Sequence, residues 1–148
     1  MLKPGPLVLT TALCVFISAC SDSDAGPTTP GPARYDGEWT GTTSQGRPIT
    51  FTVSPDQKVT DITVGYSFGS CSGTNTFSNL NLDIGTSPFP GAPQIGPGFG
   101  FGSGSPELPN YTQIYGNFSS STSVNGSVIF GAYAGCGNSG GIWSATKR

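Results

Sequence analysis

The chain has 148 residues, with six lysines and arginines against eight aspartates and glutamates, no histidine, and a net charge of −2. Charged residues are 9% of it, far below the ~25% of ordinary soluble domains, which argues against long surface helices laced with ion pairs. The acids and bases are spread out with no basic stripe to neutralise phosphates, so nucleic acid is excluded as a natural partner.

Met1 to Pro6 holds one positive charge, Lys3, and Leu7 to Ala19 is apolar apart from threonines and Ser18. That is the layout of a signal peptide, and the segment is shorter than the about 20 residues a membrane-spanning helix needs. It closes as Leu13-Cys14-Val15-Phe16-Ile17-Ser18-Ala19-Cys20. The ending Ile17-Ser18-Ala19-Cys20 resembles the lipobox of bacterial lipoproteins, in which a small residue precedes a cysteine that is thioether-linked to diacylglycerol and becomes the new N-terminus. The resemblance implies that residues 1–19 are removed, Cys14 with them, and that Cys20 anchors an extracytoplasmic protein to the lipid bilayer. Ordinary cleavage after Ala19, leaving Cys20 a free thiol, is the alternative. Ser21 after the anchor resembles the outer-membrane sorting class of bacteria with two membranes, where aspartate would suggest inner-membrane retention.

Residues 20–34 are polar, Pro-rich and without periodicity, which marks a tether. At ~3 Å per residue when extended, its stretch from Ser21 to Ala33 reaches up to about 40 Å. Residues 35–148 then suffice for a single β-domain with one core. It opens at Tyr35-Asp36-Gly37-Glu38-Trp39 and turns at Ser44-Gln45-Gly46. Ile49, Phe51 and Val53 alternate with threonines, as in a half-buried strand. Ser54-Pro55-Asp56-Gln57 is turn chemistry. Ile62, Val64, Tyr66 and Phe68 alternate through a second clear strand, and together these segments predict an antiparallel meander.

Beyond Cys71, Ser72-Gly73-Thr74-Asn75 is loop-like, and Phe77, Leu80, Leu82 and Ile84 suggest one further strand. Gly85 to Asn110 is Gly/Pro-rich and reads as a long Ω-like excursion, with room for a short strand around Phe99 to Phe101; loops of this length tend to be functional or disordered. Its Phe89, Ile95, Phe99 and Phe101, with Tyr111, form the candidate binding loop, since aromatics on a loop are good anchors for envelope proteins, glycans or small apolar ligands. The competing expectation is that these rings fold back to cap one end of the core.

In Thr112 to Ser119, Ile114, Gly116 and Phe118 share one face. Asn125-Gly126, between Ser123-Val124 and Ser127 to Phe130, predicts a type I′ hairpin turn. Asn110, Asn117 and Asn125 match the N-glycosylation pattern but are expected to be turn or surface residues. Gly141 to Thr146 supplies the last strand.

With Cys14 removed and Cys20 lipidated, Cys71 and Cys136 remain, and in an oxidising compartment they should pair. Trp39 and Trp143 stand in the first and last strands; if these pair, the meander closes into a small barrel or sandwich with both indoles in or near one core. The Gly-x-Trp opening and Trp-bearing last strand resemble small calycin-type barrels, and the pattern from Trp39 to Trp143 with its cysteine pair resembles the β-domains of many uncharacterised bacterial lipoproteins.

Without histidine, Ser-His-Asp and Cys-His catalysis is impossible within this chain. Lys58 and Lys147 lack a Ser-x-x-Lys context, and the carboxylate pairs Asp36/Glu38 and Asp56/Asp61 read as solvated surface. No EF-hand or Gly-Asp repeat suggests calcium. The expectation is therefore a non-enzymatic protein without cofactor and with no recognisable metal motif, an envelope lipoprotein as the lipobox resemblance implies, whose all-β body is a binding or interaction module. A purely structural surface lipoprotein is the alternative, and a hydrolase a distant third.

Overall fold

The computed structural model describes residues 31–85, 96–105, 108–132 and 135–148. These residues form an all-β body whose strands are β1 (Gly37–Thr43), β2 (Pro48–Val53), β3 (Lys58–Phe68), β4 (Cys71–Phe77), β5 (Leu82–Asp83), β6 (Gly98–Ser103), β7 (Tyr111–Ser120), β8 (Ser123–Gly131) and β9 (Ser139–Lys147). Cys20, Phe89 and Ile95 lie outside the described residues.

The meander from β1 to β3 is as the alternation predicts. Ser54 to Gln57 forms its turn, the Gln57 amide donating to the Ser54 carbonyl at 2.9 Å. A register shift between Thr52 and Val53 lets both Val59 and Ile62 turn into the core. First and last strands pair as expected, with Trp39 opposite Lys147 and Thr43 opposite Trp143. Their pairing puts them in the middle of the sheet, whose order is β4-β3-β2-β1-β9-β8-β7-β6, with β5 added to β3. The edges are thus mid-chain strands. The sheet curls into a half-barrel whose edges meet through an antiparallel bridge from Gly85 to Gly98 and a contact between Phe77 and Phe101, ring centroids 4.5 Å apart.

The inner face is packed with aromatic rings. Trp39 and Trp143 are both buried, and Phe51 lies between them at 5.5 and 6.0 Å. Phe99 and Phe118 complete the cluster. Where the chain enters β1, the Tyr35 ring packs on Phe118 at 4.3 Å, and the Trp39 indole donates to the Tyr35 carbonyl at 2.9 Å. This is the proximal end of the half-barrel. At the distal end, Phe68 and Tyr66 of β3 meet Phe130 of β8, and a disulfide joins Cys71 to Cys136, as the cysteine count anticipates.

Two sequence-based expectations are corrected. Asn125-Gly126 is not a hairpin turn: it lies within β8, opposite Asn117 and Gly116 of β7, and neither residue has a positive φ. The chain reverses at Ser121-Thr122 instead. Gly126 is there because its inward face abuts the Trp143 indole and the Tyr115 carbonyl, leaving no room for a Cβ. Ser72 to Asn75, read as loop, belongs to β4, which pairs with β3 from Phe68–Cys71 to Ile62–Phe77. Its small polar residues carry no apolar alternation because the strand lies at an edge and none of its side chains is fully buried.

Candidate interaction surface

Sequence reasoning looks to the segment from Gly85 to Tyr111 for a binding site, and the structure puts its described aromatics in strands. Phe99 is 2% exposed in the core, against Phe51, Phe118 and Trp143. Phe101 is partly buried against the same cluster. Tyr111, at the start of β7, is 8% exposed and packs beside Gly131. Phe99 and Phe101 therefore fill or cap the core, Tyr111 is buried outside that cluster, and none of the three is presented on an exposed loop. The anticipated short strand is β6, in which Phe99 and Phe101 alternate with Gly98, Gly100 and Gly102.

Two concavities of the described residues lie along β9. One, of about 660 Å³, is lined by Thr42, Thr43, Ser44, Asn125, Gly126, Ile142, Trp143 and Ser144. A second, of about 290 Å³, shares Thr42, Asn125 and Ser144 with it and continues toward Thr40, Thr146 and Ser123. Together they run along β9, between β1 and β8. Their outward residues arise from strand register: Thr76, Thr63, Thr50, Thr40, Thr146 and Ser123 are successive cross-strand partners from β4 to β8. Neighbouring strands lie about 4.8 Å apart, so the outer wall of the sheet carries a spaced row of hydroxyls. Thr63 and Thr76 hydrogen-bond across it at 3.1 Å. Ile142, 70% exposed, and Ile129, 43% exposed, add the apolar part of this wall. Beside them the Gln113 amide donates to the Tyr115 hydroxyl, and burial, with Tyr111 nearby, raises the Tyr115 pKa.

Charge is segregated from the part of this wall that lies over β9. Among the described residues Arg34, Asp36, Glu38, Asp56, Lys58, Asp61, Asp83, Lys147 and Arg148 all belong to the proximal half, and Arg47 alone sits in the distal β1–β2 turn. A third concavity of about 270 Å³, lined by Glu38, Thr50, Thr52, Asp61, Thr63 and Arg148 among others, marks that charged border. Register brings Glu38 and Asp61 to either side of Thr52. Asp36 is held by Arg34 at 2.9 Å and Gln57 at 3.3 Å, and the Arg34 bond lowers its pKa. Lys58 pairs with Asp83 at 2.8 Å. The Asp36 and Lys58 contacts fasten the segment before β1 and the short β5 in place, which is structural work.

Sequence reasoning missed this wall, although its signal was present as Thr40-Gly41-Thr42, Thr50-Phe51-Thr52, Thr74-Asn75-Thr76 and Ser144-Ala145-Thr146. No protein-family model, curated protein or solved structure matches the chain.

Proposed function

We propose that the protein is a lipid-anchored envelope lipoprotein, extracytoplasmic and sorted to the outer membrane where the host has two, whose β-domain is a non-enzymatic binding module. The observation that carries the anchor is the Ile17-Ser18-Ala19-Cys20 sequence, followed by the polar tether 20–34. The Cys71–Cys136 bond supports it, because it consumes the other two cysteines downstream of the apolar segment and suits an oxidising compartment. The uncharged wall over β9 supports the binding role. Hydroxyl and amide side chains beside an exposed isoleucine match a neutral polar partner, a glycan or an uncharged protein surface, better than an ionic one.

Cys20→Ala tests the anchor. Radiolabelled palmitate should label the native chain and leave the variant unlabelled, and the variant should move from the membrane to the soluble fraction. Equal labelling and partition of the two would sink the lipoprotein reading.

A further inference from the structure

We propose that the Cys71–Cys136 bond is a reducible latch across the distal end of the half-barrel, and that opening it frees the β3–β4 hairpin tip as a flap while the rest of the sheet stays folded. In the sheet order β3, β2 and β1 separate β4 from β9. Yet Cys71 at the start of β4 is bonded to Cys136 in the β8–β9 connection, with Cα atoms 6.1 Å apart. The bond thus spans the opening and does not reinforce a ladder. Both cysteines are only half-buried, so an attacking thiolate can reach them.

The flap is weakly held apart from this bond. No side chain of β4 is fully buried, and strands with few buried contacts are those that open locally. Gln45 makes a second, non-covalent crossing, accepting from the Ser67 amide at 2.9 Å and donating to the Ser139 hydroxyl at 3.0 Å. Beneath the tip, Tyr66 and Phe68 cover Phe130 at 5.6 and 5.8 Å. Thr112, the register partner of Phe130, is completely buried and its hydroxyl has no hydrogen-bond partner. A buried hydroxyl without a partner gains when water reaches it, so the closed distal end carries a cost that opening relieves.

The chemistry is thiol–disulfide exchange with a dithiol. One thiolate attacks a sulfur of the bridge and displaces the other cysteine as a thiolate. The second thiol of the reductant then breaks the mixed disulfide, leaving two cysteine thiols and the oxidised, cyclic reductant, with two electrons and two protons transferred.

Hydrogen exchange read by mass spectrometry on the full chain, oxidised and after treatment with a small dithiol, tests the latch. Amides from Phe68 to Asn75 should exchange at least about tenfold faster after reduction, as expected of a local opening, while those of β1, β2 and β9 keep their protection. Reoxidation should restore the first pattern. Gln45→Ala should accelerate the tip further in the reduced form and have little effect in the oxidised form. Unchanged exchange at the tip would overturn the proposal. Loss of protection in every strand together would overturn it equally, since the bond would then be a staple for the whole fold.

Discussion

Gly126 has a packing role that its neighbour Asn125 does not share. A hairpin turn at this dipeptide would require positive φ at both residues, whereas the observed strand requires only that position 126 lack a side chain against Trp143 and the Tyr115 carbonyl. Gly116 repeats the device, its inward face filled by the Phe99 ring. Gly126→Ala should therefore cost about 1–3 kcal/mol through overpacking. Exposed Asn125→Ala should stay within about 0.5 kcal/mol of the native protein. Denaturant titration of both variants decides it, and comparable losses at the two positions would point back to a turn.

At the scale of elements, β4 and β6 are the strands that local pattern describes least well. β4 is specified by its ladder with β3 and by Gly73, where an added Cβ would come within 2.6 Å of the Tyr66 hydroxyl. β6 consists of glycines on one face and Phe99 and Phe101 on the other, so its composition resembles a loop while its phenylalanines complete the core. Phe99→Ala should cost about 3–5 kcal/mol, a large fraction of the 5–15 kcal/mol typical of a domain. Phe101→Ala, at a half-buried ring, should cost less. Thermal melts give the order, and a Phe99→Ala protein melting like the native one would revive the exposed binding loop.

At the scale of the molecule, the pairing of β1 with β9 joins the first and last strands at the centre of the sheet and spreads the outward threonines and serines of several strands into one wall. It also gathers charge at the proximal end. If the wall binds a neutral partner, Ser144→Arg should abolish capture of that partner from envelope extract, because it sets an unpaired charge among Thr42, Asn125 and Thr146. As Ser144 is exposed, its replacement should leave the melting midpoint nearly unchanged. Undiminished capture by a folded variant would remove the wall as the site and move the binding surface elsewhere on the domain.

The sequence by itself determined whatever depends on nearby residues or on counting. Alternation over Ile49 to Val53 and Ile62 to Phe68 gave the meander, and the cysteine count gave the Cys71–Cys136 pair. The terminal tryptophans pointed to the pairing of the first and last strands, whereas the anchor at Cys20 rests on the lipobox resemblance alone and lies outside the described residues. Tertiary structure alone decided what depends on cross-strand register. It made Asn125-Gly126 a strand segment because an indole from β9 lies against it. It turned Phe99 inward because β6 pairs with β7, and it brought scattered threonines into one row. A side chain's face is local to its strand, but its neighbours on the next strand come from distant sequence, and the glycines and hydroxyls of this chain carry too little hydrophobic pattern to reveal them.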